Sequence, residues 1–263
     1  MDCEEKQYAI REVSQITGVK PVTLRAWQRR YNLIQPHRTE KGHRIYTEQH
    51  VALIGEIQSW LSKGVPIGKV KNVLEVNDSS EVNELPIAAQ LTEVPRLLEA
   101  LVALNQTKAD SIIGMVLKEY PLDIVEQQFI QPVEKALSMV RFGSRSLQTG
   151  MMRTLMVARL NDILQAENKA AGNKRAALIC YESVNDIQSR LWALKLSQRG
   201  LYMVIIDGVD ELSGLIDHPD LNVYDTLALY SSKPLNAAQT SNVERLKQSF
   251  AGTLVLSEMI ESE

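Results

Sequence analysis

The sequence predicts a multidomain protein with a mostly α-helical amino-terminal segment, a central helical bundle and a carboxyl-terminal α/β domain with a parallel sheet. Three observations predict this class. Apolar residues recur at helical spacing through the first two segments, whereas the last segment alternates short apolar runs with helical patterns. Two polar stretches, residues 75–86 and 167–175, separate the parts. The 263 residues also suffice for two or three domains with cores of their own.

Composition excludes several classes of protein. Hydrophobic residues make up 44% and charged residues 23%, which is typical of globular proteins and not of fibrous or disulfide-scaffold proteins. The two cysteines, Cys3 and Cys180, cannot form a metal cluster or a disulfide framework, so a reducing cytoplasm is expected. No apolar run approaches the roughly 18 residues of a membrane span, and MDCEEKQ does not resemble a signal peptide. We therefore expect no membrane partner.

Charge is distributed unevenly along the chain. The whole sequence carries a net charge of −3, but residues 1–75 carry +4 and the remainder −7. The asymmetry predicts a small basic binding module on an acidic body. We place the module at residues 1–75, a linker at 76–86, the bundle at 87–170 and the α/β domain at 171–263.

The first segment predicts two helices joined by a tight turn. Ile10, Val13 and Ile16 form a stripe at helical spacing that ends at Gly18, a residue suited to a turn. Pro21 fits the first position of a second helix. Leu24, Trp27 and Tyr31 are then expected to face its core.

A basic hairpin and two more helices follow. HRTEKGHRIYT predicts a hairpin, or wing, with Gly42 at its tip. Thr47 is expected to cap a third helix that ends near Gly64, and a fourth short helix follows from Ile67. The order is helix, turn, helix, wing, helix, helix.

These motifs resemble a known family. TLRAWQRRY, followed by P-x-R and GHR-x-Y, is similar to the winged helix-turn-helix of the MerR family of transcription regulators. Within it, the segment resembles the branch that includes light-responsive cobalamin repressors (CarH-like) and MlrA-type biofilm regulators. The resemblance implies double-stranded DNA as a partner. It covers about the first quarter of the chain.

The expected DNA-binding residues fall into two groups. Thr23, Arg25, Gln28 and Arg29 are expected to face bases in the major groove from the second helix. The wing and the end of that helix are expected to grip the DNA backbone or the flanking minor groove through Arg30, Arg38, His43, Arg44 and Tyr46. The alternative for any single arginine is a solvated surface charge. Trp27 and Tyr31 are expected in the core.

The second and third segments predict a four-helix bundle and a Rossmann-like domain. Pro121 and Pro132 punctuate the helical region. The third segment has apolar runs at 176–180, 202–207, 226–230 and 253–257, the length of buried parallel strands.

These two segments resemble the cobalamin-binding bundle and Rossmann-like domain of methionine synthase and of light-responsive MerR-like repressors. Those domains carry E/D-x-H-x-x-G after the first strand, and this chain has Val184 for the ligating histidine and Ile187 for the glycine. Valine has no lone pair to give cobalt. We therefore expect a retained fold that has lost the cofactor.

The leading hypothesis is a sequence-specific DNA-binding regulator, acting as a homodimer on a near-palindromic promoter site with RNA polymerase. The resemblance leaves activation and repression both open. It also implies a protein partner that makes or degrades cyclic di-GMP. The alternative is a light-sensing repressor that responds to cobalamin or another ligand. Catalysis is not expected, because no nucleophile–base set or phosphate loop is present, and the expected location is the bacterial cytoplasm, at the nucleoid.

Overall fold

The computed structural model describes residues 6–76, 90–182, 186–216, 218 and 220–261. The chain divides into two compact units, Met1–Leu155 and Met156–Glu263. Residues 77–86 of the predicted linker and Val184 lie outside the described residues. The three boundaries between the four predicted segments stay predictions.

The first unit begins with the predicted order of helices around a small sheet. Its elements are β1 (Tyr8–Ala9), α1 (Ile10–Thr17), α2 (Pro21–Tyr31), β2 (His37–Arg38), β3 (Arg44–Tyr46), α3 (Glu48–Ser62) and α4 (Ile67–Val76). Gly18 has φ of 71°, a left-handed conformation that costs glycine little and lets the chain turn between α1 and α2. Pro21 is the first residue of α2, as predicted. The buried core contains Val13, Leu24 and Trp27.

The predicted hairpin is present as β2 paired with β3, and β1 adds a third antiparallel strand that the sequence did not predict. The strand order is β1-β3-β2, and β1 pairs with β3 through Tyr8 opposite Tyr46 and Ala9 opposite Ile45. Gly42, with φ of 79°, lies in the turn between β2 and β3. The extra strand ties the start of the chain to the wing.

Helices continue through the rest of the first unit, as predicted. They are α5 (Glu93–Val102), α6 (Gln106–Glu119), α7 (Leu122–Val125), a π-helical stretch (Glu126–Ile130), α8 (Gln131–Ser138) and α9 (Phe142–Asn168), the last of which runs on into the second unit. Gln128 donates from Nε2 to the carbonyl oxygen of Leu61 at 2.9 Å. The helical region therefore packs directly on the winged domain. Its arrangement as a four-helix bundle stays a prediction.

The second unit is a parallel sheet with helices. Its strands β4 (Arg175–Cys180), β5 (Tyr202–Asp207), β6 (Thr226–Tyr230) and β7 (Thr253–Leu256) lie in the order β5-β4-β6-β7, all parallel. The helices are α10 (Ile187–Ser197), α11 (Ser213–Ile216), α12 (Ala237–Ser249) and α13 (Glu258–Glu261). All four strands fall where the apolar runs predicted them. The finer Rossmann-like assignment stays a prediction.

Three features of the described residues bear on membrane contact, metal binding and thiol reactivity. No helix in the described part of the chain combines the length and apolar character needed to cross a bilayer. Among the same residues, no three histidine, cysteine or acidic side chains gather as a metal site would require. Cys180 is a buried free thiol, and burial raises its pKa to about 12.

Candidate nucleic-acid interface

Five polar side chains of α2 and the wing form one surface, which we call the basic surface: Arg25, Gln28, Arg29, Arg38 and Arg44. The first three follow i, i+3, i+4 spacing and so share a face of α2. The wing brings the other two to the same place, one from β2 and one from β3. Three of the arginines are exposed, whereas Gln28 and Arg44 are half-buried.

A direct hydrogen bond joins the wing to α2. The Nε atom of Arg44 donates to Oε1 of Gln28 at 2.6 Å. This is the short distance of a charge-assisted hydrogen bond. The hydrogen bond holds the wing against α2, so that side chains of both elements can contact the same binding partner.

Four guanidinium groups repel one another on the basic surface. The pKa of Arg44 is lowered by burial first, and then by the positive charges of Arg38, Arg29 and Arg25. Repulsion of this kind destabilises the free protein and is relieved when an anion binds. The surface is therefore suited to the phosphates of a nucleic acid.

His43 follows the turn of the wing and pairs with Thr39 across it. The backbone N–H of Thr39 donates to the carbonyl oxygen of His43 at 2.9 Å, and the N–H of Gly42 donates to that of Thr39 at 2.8 Å. His43 is exposed. It stays a predicted contact to DNA.

Two predicted contacts, Thr23 and Tyr46, must be corrected, because each side chain is only 1% exposed. Thr23 precedes Trp27 by four residues, so it lies on the core face of α2. Tyr46 packs edge-on against the His50 ring, with 5.9 Å between ring centroids, and burial raises its pKa. Neither side chain is available to a base or a phosphate.

Arg30 contacts another helix of the protein. It forms an ion pair with Glu119, the last residue of α6, while its side chain stays 55% exposed, so its contact with DNA stays a prediction. Glu119 is 3% exposed, and it also accepts from the Tyr31 hydroxyl at 2.6 Å. Its carbonyl oxygen accepts from Trp27 Nε1 at 2.7 Å. The side of α2 that carries Trp27, Arg30 and Tyr31 is thus anchored to α6.

Sequence reasoning missed Glu119 and the role of His50. Glu119 is a single acidic residue 89 positions from Arg30, so no local pattern reveals the pair. His50 accepts the backbone N–H of Thr47 at its Nδ1 atom, at 3.0 Å, and its Nε2 atom lies 3.1 Å from the carbonyl oxygen of Gln35. The spacing Thr47-x-x-His50 resembles a capping box, which was the available signal.

Two polar contacts of the second unit lie near the carboxyl ends of the strands. Arg190 and Asp207 form a buried ion pair, with Nη1 to Oδ1 at 2.7 Å. Glu182 accepts from both the backbone N–H and the hydroxyl of Ser232, at 2.7 and 2.8 Å. The first contact joins α10 to the end of β5, and the second joins the segments that follow the neighbouring strands β4 and β6, so these polar groups pair within the unit.

The part of the chain that forms the winged domain matches a known protein family. Residues 8–76 match the family described as MerR HTH family regulatory protein. The amino-terminal domain belongs to the MerR family. The basic surface thus lies on the second helix and the wing of a MerR-type domain.

Similarity to curated regulators extends beyond the MerR-type domain. The chain is 29% identical over 185 residues to the HTH-type transcriptional regulator MlrA of Salmonella typhimurium, covering 70% of this chain and 72% of the relative. It is 45% identical over 75 residues to MlrA of Escherichia coli, covering 28% and 30%. It is 27% identical over 125 residues to the HTH-type transcriptional repressor CarH of Myxococcus xanthus, covering 44% and 42%. The chain is thus similar to MerR-type transcription regulators over its amino-terminal domain and beyond it.

Proposed function

We propose that this regulator binds promoter DNA sequence-specifically, as a homodimer on a palindromic site, through the basic surface. The observation that carries the proposal is the convergence of Arg25, Arg29, Arg38 and Arg44 around Gln28. The arginines neutralise phosphates, while Gln28 offers a polar group to base edges. Two-fold symmetry of the protein then requires two half-sites in the DNA.

The proposal extends to RNA polymerase at the same promoter. A dimer that deforms the DNA between the promoter elements changes the relative position of the two elements that RNA polymerase contacts. Because the cost of deformation depends on the DNA sequence, deformation also adds to the sequence preference. The proposed location is the bacterial cytoplasm, at the nucleoid. Activation and repression are both compatible with the basic surface.

We propose that the second unit receives the signal through protein contact. The resemblance to MlrA-type regulators suggests a partner that makes or degrades cyclic di-GMP. Co-purification of the full chain with such an enzyme tests this, with a catalytically unrelated cytoplasmic protein as control. Binding to neither protein would contradict the proposal.

The described residues do not favour the alternative of a cobalamin-responsive repressor. Glu182, at the acidic position of the E/D-x-H-x-x-G motif, is engaged by Ser232. Ile187, at the glycine position, is 5% exposed and begins α10. Val184, at the histidine position, offers no lone pair. The test is the absorbance of the chain after mixing with adenosylcobalamin and gel filtration, where a retained chromophore would restore the alternative.

Selection from a library of randomised duplexes tests the main proposal. The full chain should enrich one palindromic motif, and light scattering should give the mass of a dimer on that duplex. Selection should not change with adenosylcobalamin or illumination. Recovery of no common motif would contradict sequence-specific binding, and a single half-site bound by one chain would contradict the dimer.

A further inference from the structure

The hydrogen bond between Arg44 and Gln28 restricts what Gln28 can offer to DNA. The Nε atom of an arginine is only ever a donor, so its partner at 2.6 Å must be the amide oxygen of Gln28 and not the amide nitrogen. The chemistry of the pair therefore fixes the orientation of the amide. Gln28 keeps its two N–H donors, whereas its oxygen is already engaged by a cation.

The engagement of one of the two lone pairs of the Gln28 oxygen by a cation matters for base recognition. In the major groove, guanine presents two acceptors, O6 and N7, whereas adenine presents the acceptor N7 beside the donor N6–H₂. A glutamine with a free amide reads adenine by accepting from N6 and donating to N7. A glutamine oxygen that already accepts from a guanidinium is a weaker and less freely oriented acceptor for adenine N6–H₂, whereas the two N–H donors of the amide still match guanine.

We infer that Arg44 is a positioning residue that sets the base preference of Gln28 towards guanine over adenine. The inference rests on the proposed function, because it requires the basic surface to face the major groove. Arg44 thereby has two roles: its charge supports affinity for any sequence, and its Nε–H shapes the preference at one base pair. Among the described residues of the basic surface, Arg44 is the arginine that hydrogen-bonds the Gln28 amide, whereas Nη1 of Arg38 donates to the carbonyl oxygen of Gly42 at 3.4 Å.

The test compares base preference in three forms of the full chain. The Gln28→Met variant, assayed on the duplex that the wild-type chain selects, identifies the base pair whose identity depends on Gln28. The ratio of affinities for guanine and adenine at that position is then measured by fluorescence anisotropy for the wild type, Arg44→Met and the matched control Arg38→Met. Circular dichroism confirms that each variant is folded.

We expect the wild type to prefer guanine by about tenfold, the order of one good base contact. Arg44→Met should bring the ratio to one or below, because the freed oxygen can accept from adenine N6. Arg38→Met should weaken binding to both duplexes and leave the ratio unchanged. If Arg44→Met fails to fold, the same ratio measured for Arg44→Ala, which also lacks the Nε–H, decides the inference.

The outcomes that would contradict the inference differ from the outcome that would contradict the proposed function. A wild-type preference for adenine, an unchanged ratio in Arg44→Met, or no base pair that depends on Gln28 would overturn the inference while DNA binding stands. Failure of the wild-type chain to bind any duplex would overturn the proposed function, and the inference would fall with it.

Discussion

Single side chains decide which part of the MerR-type domain is available to DNA. Spacing on a helix shows which residues share a face, and this was sufficient to group Arg25, Gln28 and Arg29. It does not show which residues a distant element covers. Thr23 was therefore assigned to the groove, although it lies in the core. Tyr46 was assigned to the wing surface for the same reason, because the pairing of β1 with β3 is not visible in the local pattern.

The Tyr46→Phe substitution tests this correction. The Tyr46 hydroxyl is buried and has no hydrogen-bond partner in the described part of the chain. Removing it should leave the free energy of unfolding unchanged or raise it by about 1 kcal/mol, because an unpaired buried hydroxyl is costly. Urea unfolding measures this, and DNA affinity should not change. A clear loss of affinity would return Tyr46 to the interface.

At the scale of elements, one face of α2 carries residues of the basic surface, and another face is anchored to α6. Glu119 connects the two helices through Arg30 and Tyr31. The apolar stripe of α2, its start at Pro21 and the turn at Gly18 could be predicted, since they depend on neighbouring residues. The anchor could not be predicted, because it joins residues far apart in sequence.

The Glu119→Gln substitution tests the anchor. It removes the charge that pairs with Arg30 and should lower the free energy of unfolding by about 2 kcal/mol, the order of a hydrogen bond to a charged group. A double-mutant cycle with Arg30→Met should show coupling. The same cycle with Arg29→Met is the control and should show none. Equal coupling in both cycles would exclude a specific contact.

The ion pair between Arg190 of α10 and Asp207, the last residue of β5, carries a prediction for the second unit. Asp207→Asn leaves the buried Arg190 without its counter-charge, so it should destabilise the second unit by about 3 kcal/mol. Lys247→Ala, which breaks the exposed pair with Glu244, should cost less than about 1 kcal/mol. Thermal unfolding followed by circular dichroism compares the two. Similar small losses would mean that the buried pair contributes little.

At the scale of the whole molecule, the sequence predicted the classes of structure better than their contacts. The parallel sheet followed from four apolar runs, and the wing followed from Gly42 and its basic neighbours. The contact between the winged domain and the helical region, through Gln128 and Glu119, was not predicted. Polar residues that bridge distant elements leave no periodic signal, so the helical region looked like a separate domain.

Both units should lose stability in alkali. Burial raises the pKa of Tyr31 and Tyr120 in the first unit, and that of Tyr181 to about 12 in the second. The unfolded chain releases these protons near the ordinary tyrosine pKa of 10.0, before the folded chain does. Stability should therefore be retained below pH 10 and fall as pH rises through 10 to 12. Urea midpoints at pH 8, 10 and 11 measure this. An unchanged midpoint at pH 11 would contradict the burial of these hydroxyls.

The most direct test of the account is the salt dependence of binding to the selected duplex. The logarithm of the binding constant falls linearly with that of salt concentration, with a slope that counts phosphate contacts. Arg44→Ala should weaken binding to all sequences and reduce the slope by roughly one unit. Arg96→Ala removes an exposed arginine from α5 and should leave the slope unchanged. Equal slopes for the wild type and Arg44→Ala would show that the basic surface does not meet the DNA.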